Sequence, residues 1–211
     1  MAVNIKEMKE KLAYSCNILA NEGHWDNILG HVSVRIPGQN RILMKPHSFG
    51  FEEIRPQHII VVDIETGKKV DGKYERHSEV FIHTEIMKAR ADVNCVVHSH
   101  PPYAIAFGAL GQKLRPISHE GNIFHQGLPT FDLTTALIRT PELGVEVATL
   151  YAIFLEKAAR IQLMATASGD PSWTNDEEAA VKYEQIYTPH RLESMWDYFV
   201  RRAKKFRASM Q

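Results

Sequence analysis

The sequence predicts an α/β layered domain. Stretches with apolar residues three and four apart, the mark of helices, alternate with short β-branched runs that read as strands. No composition shift, internal repeat or low-complexity tract divides the 211 residues. The chain therefore reads as one domain over 1–211, with a core over about 5–165 and a helical C-terminal extension over 166–211.

The first helix is expected over Ile5 to Glu22, where Met8, Leu12, Cys16 and Leu19 recur at helical spacing and Gly23 terminates the run. Val32 to Ile36 alternates like a half-buried strand, Pro37-Gly38 turns the chain, and Arg41 to Lys45 returns. Ile59 to Ile64 is a short apolar run, read as a buried strand that ends at the turn around Thr66-Gly67. Ser78 to Arg90 reads as a helix with Ser78 as N-cap. Asn94 to His98 follows as a strand, and Tyr103 to Leu110 as a short helix. From Gly111 to Thr135 the pattern is loop-like. Thr140-Pro141-Glu142 has the residues of a helix start, Tyr151 to Met164 carries a helical stripe, and Ser168-Gly169-Asp170-Pro171 breaks it. Two further helices are expected near Asp176 to Tyr187 and Leu192 to Lys205.

Lysine plus arginine equals aspartate plus glutamate at 25 each, so no charge excess points to nucleic acid or an anionic membrane. Two cysteines, Cys16 and Cys95, are too few for a disulfide framework and read as buried thiols of a reducing compartment. Met1 to Lys11 is charged every few residues, unlike a signal peptide, and no run approaches the ~20 apolar residues of a membrane span. The expectation is a cytoplasmic protein that acts on a small molecule. Its neutral charge mildly favours a homo-oligomer.

The chemistry concentrates at Val96-Val97-His98-Ser99-His100-Pro101-Pro102. Strand residues two apart project from one face, so His98 and His100 can aim both imidazoles at one point. Such a pair suits a divalent transition metal, although two hydrogen-bonded histidines at a strand end would look the same. Glu79, near the start of the preceding helix, can ligate a cation, act as a general base, or simply complement the helix dipole. His83, four residues on, shares its helix face and can be a ligand or orient Glu79, with a packed helix histidine the favoured reading over a ligand. Tyr103, His119, Glu120 and His125 are weaker candidates. Gly30-His31-Val32-Ser33 and Lys45-Pro46-His47-Ser48-Phe49-Gly50 are small-residue loops able to hold an anionic group.

Gly30-His31-Val32-Ser33-Val34-Arg35, Glu79 with His83, and Val96-Val97-His98-Ser99-His100 together resemble the class II aldolase/adducin family. Segment order agrees from about Ile5 to Ile161, and Glu79 precedes His98 by 19 residues, as in the family's motif. The resemblance implies a three-layer α/β/α sandwich assembled as a homotetramer. It implies a divalent metal, most often zinc with manganese or iron as alternatives, on His98, His100 and Glu79. Glu79 would also be the acid/base residue, and His31, Ser33, Ser48, His77 and Ser78 would contact substrate. The implied activity is a lyase, an aldolase or decarboxylase, cleaving a C–C bond of a small oxygenated carboxylic acid through a metal-stabilised enolate-type intermediate. The alternatives are a non-haem iron oxygenase of the same fold and a metal-free, adducin-like interaction module.

Two departures from the family pattern stand out. The family's third ligand histidine lies in an Arg-x-His-Gly type strand, and about two dozen residues that would contain it are absent between Leu150 and Tyr151. Either the chain has lost them or the two residues are not neighbours in the natural chain. The second is the favoured reading, since the loss would injure both core and site. In addition, His31 stands where sugar-phosphate aldolases carry asparagine, His77-Ser78 replaces a serine pair, and Ser48 stands where glycine is common. These changes fit the branch that handles non-phosphorylated carboxylates, including decarboxylases of hydroxylated aromatic acids.

Overall fold

The computed structural model describes residues 4–24, 27–127 and 144–209. Helix α1 (Ile5–Asn21) starts at Asn4, whose side chain accepts the Glu7 N–H, and buries Leu12, Cys16 and Leu19. The strands are β1 (His31–Arg35), β2 (Arg41–Met44), β3 (Ile60–Asp63), β4 (Lys69–Asp71) and β5 (Cys95–His98). Between β4 and β5 runs α2 (Val80–Ala89). After β5 come α3 (Pro102–Ala109), α4 (Gly144–Ala167), α5 (Asp176–Ile186) and α6 (Pro189–Ser209).

The sheet order is β4-β3-β2-β1-β5, and every pairing is antiparallel. The link 36–40 between β1 and β2 is far too short for a parallel crossover, so those strands form a hairpin. Alternation within each strand sends residues to opposite layers. Val32 and Val34 join the core built with α1, α4 and α6, whereas Ile42, Met44, Ile60 and Val62 pack with Val80 and Met87 of α2. The result is the expected three-layer arrangement, with α2 on one face and α1, α4 and α6 on the other. Helix α6 brings Leu192, Trp196 and Phe199 into the main core.

Several expectations change. Strand β4 carries little sequence signal because Lys69, Val70 and Asp71 form a short edge with no buried face. Ser78 does not cap α2. Glu79 occupies the cap position without a side-chain cap bond, because its carboxylate turns to His31 instead. Leu150 and Tyr151 both lie within helix α4 (Gly144–Ala167). The Thr140-Pro141-Glu142 helix start lies outside the described residues. Both cysteines are buried and neither is in a disulfide. Among the described residues, no helix is long and apolar enough to cross a membrane.

Among the described residues, helix α4 carries three buried polar side chains that anchor its surroundings, and the first, Thr149, lies 2.6 Å from the Ser15 hydroxyl of α1. Glu156 accepts the Tyr103 and Ala104 N–H groups at 3.1 and 2.8 Å, so a carboxylate from another helix caps α3. Gln162 accepts the Arg115 N–H at 2.6 Å and donates to the Lys113 carbonyl. Charge-assisted bonds to first-turn amides add to the dipole interaction. Glu156→Ala is therefore expected to cost about 2 kcal/mol, measured by chemical denaturation. An unchanged midpoint would refute the cap.

Candidate metal centre

Strand register builds the site. His31 of β1 pairs directly with His98 of β5. Opposed side chains of neighbouring strands lie side by side, and the two rings stack with centroids 4.5 Å apart and planes within 14°. β5 ends at His98, and the chain turns so that the His98 and His100 Nε2 atoms lie 3.0 Å apart. That turn after the strand end, rather than strand alternation, brings the two imidazoles together.

Helix α2 delivers the remaining groups. Arg35 of β1 donates to the Met87 carbonyl at 2.7 Å and the Val93 carbonyl at 3.2 Å, tying the end of α2 to the sheet. His83 and Glu79 then face β1. Ser33 Oγ lies 2.6 Å from His83 Nδ1, His83 Nε2 lies 2.5 Å from His31 Nδ1, and His31 Nε2 lies 3.2 Å from a Glu79 carboxylate oxygen. The bond from His31 holds the Glu79 carboxyl below the usual carboxylate range, so it is ionised at neutral pH and only accepts. This fixes each proton in the chain. His31 Nε2–H donates to Glu79, His83 Nε2–H donates to His31 Nδ1, and the Ser33 hydroxyl donates to His83 Nδ1. His31 thus has no lone pair free for a cation and orients the carboxylate instead.

Burial keeps these rings neutral. It pushes His31 down to about 3 and His77 to about 4, and it lowers His83 and His98 as well. Neutral imidazoles are the form that ligates metals. His77 is buried, with its ring 4.5 Å from that of His31 and 4.9 Å from that of His47. Neither of its nitrogens has a hydrogen-bond partner among the described residues, although the Ile28 carbonyl is near enough to favour the protonated ring. Donor atoms of His31, His77 and Glu79 all lie within 4.8 Å of one another, the one such compact group among the described residues.

The other expected site residues fall in different places. Ser33 is fully buried behind His83, whereas Ser78 is exposed. Ser48 is exposed, bonds His47 at 2.6 Å and holds φ +69°, a left-handed conformation that glycine adopts at lower cost. Gly30 has φ +64°, and a Cβ there would sit 2.9 Å from the Phe51 ring, so only glycine lets the loop enter β1 at His31. Tyr103 stacks under Arg160 at 5.3 Å. His119, Glu120 and His125 belong to the 3-10 turn around Glu120–Phe124, where the His119 carbonyl accepts the Tyr187 hydroxyl and His125 approaches Tyr183. No third ligand histidine comes from α4, whose sequence contains none. Sequence reasoning leaves His83 as a ligand, a residue orienting Glu79 or a packed helix histidine. It is buried and reaches Glu79 only through His31, an indirect route that no helical spacing reveals.

Residues 10–163 match the family described as Class II Aldolase and Adducin N-terminal domain. The chain belongs to that family. Among curated relatives, it is 36% identical over 116 residues to a 3,4-dihydroxyphthalate decarboxylase of Arthrobacter keyseri, covering 52% of this chain and 46% of the relative. It is 26% identical over 189 residues to the decarboxylase NovR of Streptomyces niveus, covering 76% and 70%. The chain spans somewhat under half the length of the first of these. Among solved structures, an L-fuculose 1-phosphate aldolase from Glaciozyma antarctica PI12 has the same fold, with TM-score 0.82, 21% identity and 99% and 94% of the two chains covered. Class II aldolase family members generally depend on a divalent metal, and the His/Glu cluster is a possible place for one.

The His98–His100 pair has a spacing that suits such an ion, whereas His98, His100 and Glu79 do not together form a group with donor atoms within 4.8 Å of one another. Two metal–nitrogen bonds of about 2.0–2.1 Å at the tetrahedral angle place their nitrogens about 3.3 Å apart, close to the 3.0 Å His98–His100 separation. The carboxylate, held by one oxygen, has its other oxygen for a cation or a proton, and His77 contributes unpartnered nitrogens nearby.

Proposed function

We propose that this chain is a divalent-metal-dependent lyase, an aldolase or decarboxylase acting on a small oxygenated carboxylic acid. The observation that carries the reading is the ionised Glu79 carboxylate, aimed by the Ser33–His83–His31 chain, on the same histidine cluster as the convergent His98–His100 pair. His98, His100 and Glu79 would hold the cation. A bound divalent ion supplies Lewis acidity, polarising a carbonyl or phenolate oxygen and accepting the charge left by C–C cleavage.

The chain's own residues do the rest. Glu79, ionised and half exposed, is placed to take a proton from substrate and return it after bond cleavage. His31 fixes the carboxylate's direction, since its Nε2–H is committed to that oxygen. Ser33 and His83, both fully buried, hold the His31 tautomer and exclude water behind it. The replacement of the sugar-phosphate branch's asparagine and serine pair by His31 and His77 supports a non-phosphorylated substrate, as does the similarity to the two decarboxylases.

The test is turnover by the purified chain loaded with zinc, manganese or iron, assayed against hydroxy-acids and phosphorylated sugars. Metal-dependent aldehyde or carbon dioxide release from a hydroxy-acid is expected, and Glu79→Gln should remove it. Oxygen consumption in the iron-loaded protein without C–C cleavage would replace this reading with the oxygenase. Inactivity with every metal, together with the absence of metal binding, would leave the interaction module.

A further inference from the structure

We infer that the cavity between β5, α3 and α4 is a binding site for a neutral aromatic molecule of one or two rings bearing a hydroxyl group, hydrogen-bonded to His24. This goes beyond the lyase reading and does not depend on it. His31, Ser33 and Glu79 lie on the α2 side of the sheet. The cavity opens on the opposite side, where Val97 faces α4, and only His98, on β5 at the end of the sheet order, borders both.

The chemistry of the lining specifies the ligand. The cavity volume is about 520 Å³, within the range of small-molecule sites. Its walls are Val97, Ile105, Phe124, Tyr151 and Leu155, with Ala148 and Ala152 on one α4 face leaving the space. No lysine, arginine, aspartate or glutamate lines it among the described residues. A phosphate or carboxylate would lose its hydration there without a countercharge, whereas a ring gains by burial against aromatic and aliphatic walls. The Tyr151 hydroxyl is already paired with that of Tyr183 at 2.9 Å, and His98 Nε2 faces His100.

His24 is different. It is 1% exposed and lines the cavity, and its Nδ1 lies 3.1 Å from Ser99 Oγ, while its Nε2 is buried with no partner among the described residues. A buried ring nitrogen without a partner is costly, and a ligand that reaches it recovers that cost. Either atom of the Ser99–His24 bond can be the donor, so Nε2 either donates or accepts. A hydroxyl serves both cases.

The experiment is calorimetric titration of the full chain with 2-naphthol, naphthalene, benzoate and inorganic phosphate, before and after chelation of metals. The expected result is saturable binding of 2-naphthol that survives chelation, benzoate at least tenfold weaker, and no heat from phosphate. Ala152→Trp should abolish binding by filling the cavity. If that variant loses its cooperative melt, Ala148→Leu, which narrows the same wall, should weaken binding at least fivefold. His24→Phe should weaken 2-naphthol about fivefold and leave naphthalene unchanged. The inference is overturned by 2-naphthol binding that persists in folded Ala152→Trp or Ala148→Leu, or by equal weakening of both ligands in His24→Phe. Binding that disappears on chelation would also overturn it, since the ligand would then sit on a cation. Because the readout is binding without metal, a failed lyase assay leaves this result standing, and the reverse also holds.

Discussion

His98→Ala is expected to abolish retention of a divalent cation, and Glu79→Gln is expected to keep the cation while losing at least ~100-fold in turnover. The two losses differ because the two side chains do different work. His98 and His100 are the convergent nitrogen pair, 3.0 Å apart, and removing one leaves a single imidazole beside a carboxylate. That is too few protein ligands for a stable site. Glutamine at position 79 still offers an oxygen to the His31 Nε2–H, so the proton order through His83 and Ser33 survives. What it lacks is basicity, and a positioned general base contributes ~10²–10⁴-fold. Metal content per chain after dialysis, measured beside turnover, separates the outcomes. Full metal content in His98→Ala would show that the ion does not rest on the His98–His100 pair. Normal turnover in Glu79→Gln would show that another residue moves the proton.

The second large effect concerns Lys45, which is fully buried. Its ammonium donates to the Ile28 carbonyl at 3.2 Å and the Pro46 carbonyl at 3.4 Å and lies 5.5 Å from the Phe51 ring centre, with no carboxylate bonded to it among the described residues. Burial pushes its pKa down from 10.5 to about 8. Between those values the unfolded chain holds a proton that the folded chain does not. Stability contributed by this residue therefore rises with pH from about 8 to 10.5, by on the order of 2–3 kcal/mol. Burial raises the Cys16 thiol to about 12, so it stays neutral across this window. Burial also raises the Tyr151 and Tyr187 hydroxyls. Those groups are common to the parent protein and Lys45→Met, so their effects cancel in the difference. Urea denaturation of both at pH 7.5 and 10 should show the parent gaining on the variant by that amount. Parallel stability curves would mean that Lys45 stays charged in the fold. Its role there is to brace the loop before Gly30, where the chain turns into β1.

The layered fold was legible because it rests on local patterns. Val32 to Ile36, Arg41 to Lys45 and Asn94 to His98 had to bury alternate residues, and the helical stripes of Leu12, Cys16 and Leu19 had to face a core. Edge strand β4 escaped because pairing, not apolar patterning, makes it. Ser78 looked like a cap because capping chemistry is local, but Glu79 holds that position while its side chain answers a residue 48 positions away.

By itself the sequence placed two histidines two apart before a stop signal, but His100 lies beyond the end of β5, so the turn after His98 rather than a shared strand face brings the imidazoles together. The sequence also determined the family, through segments spread from Ile5 to Ile161. Only the tertiary structure decided that His31 would stack on His98 and donate to Glu79, that Ser33 would be locked behind His83, and that His24 would line an apolar cavity with its Nε2 unpartnered among the described residues. Periodicity fixes which way a side chain leaves its own backbone. Which partner it then meets depends on strand register and helix docking, set by the summed burial of residues far apart in the chain.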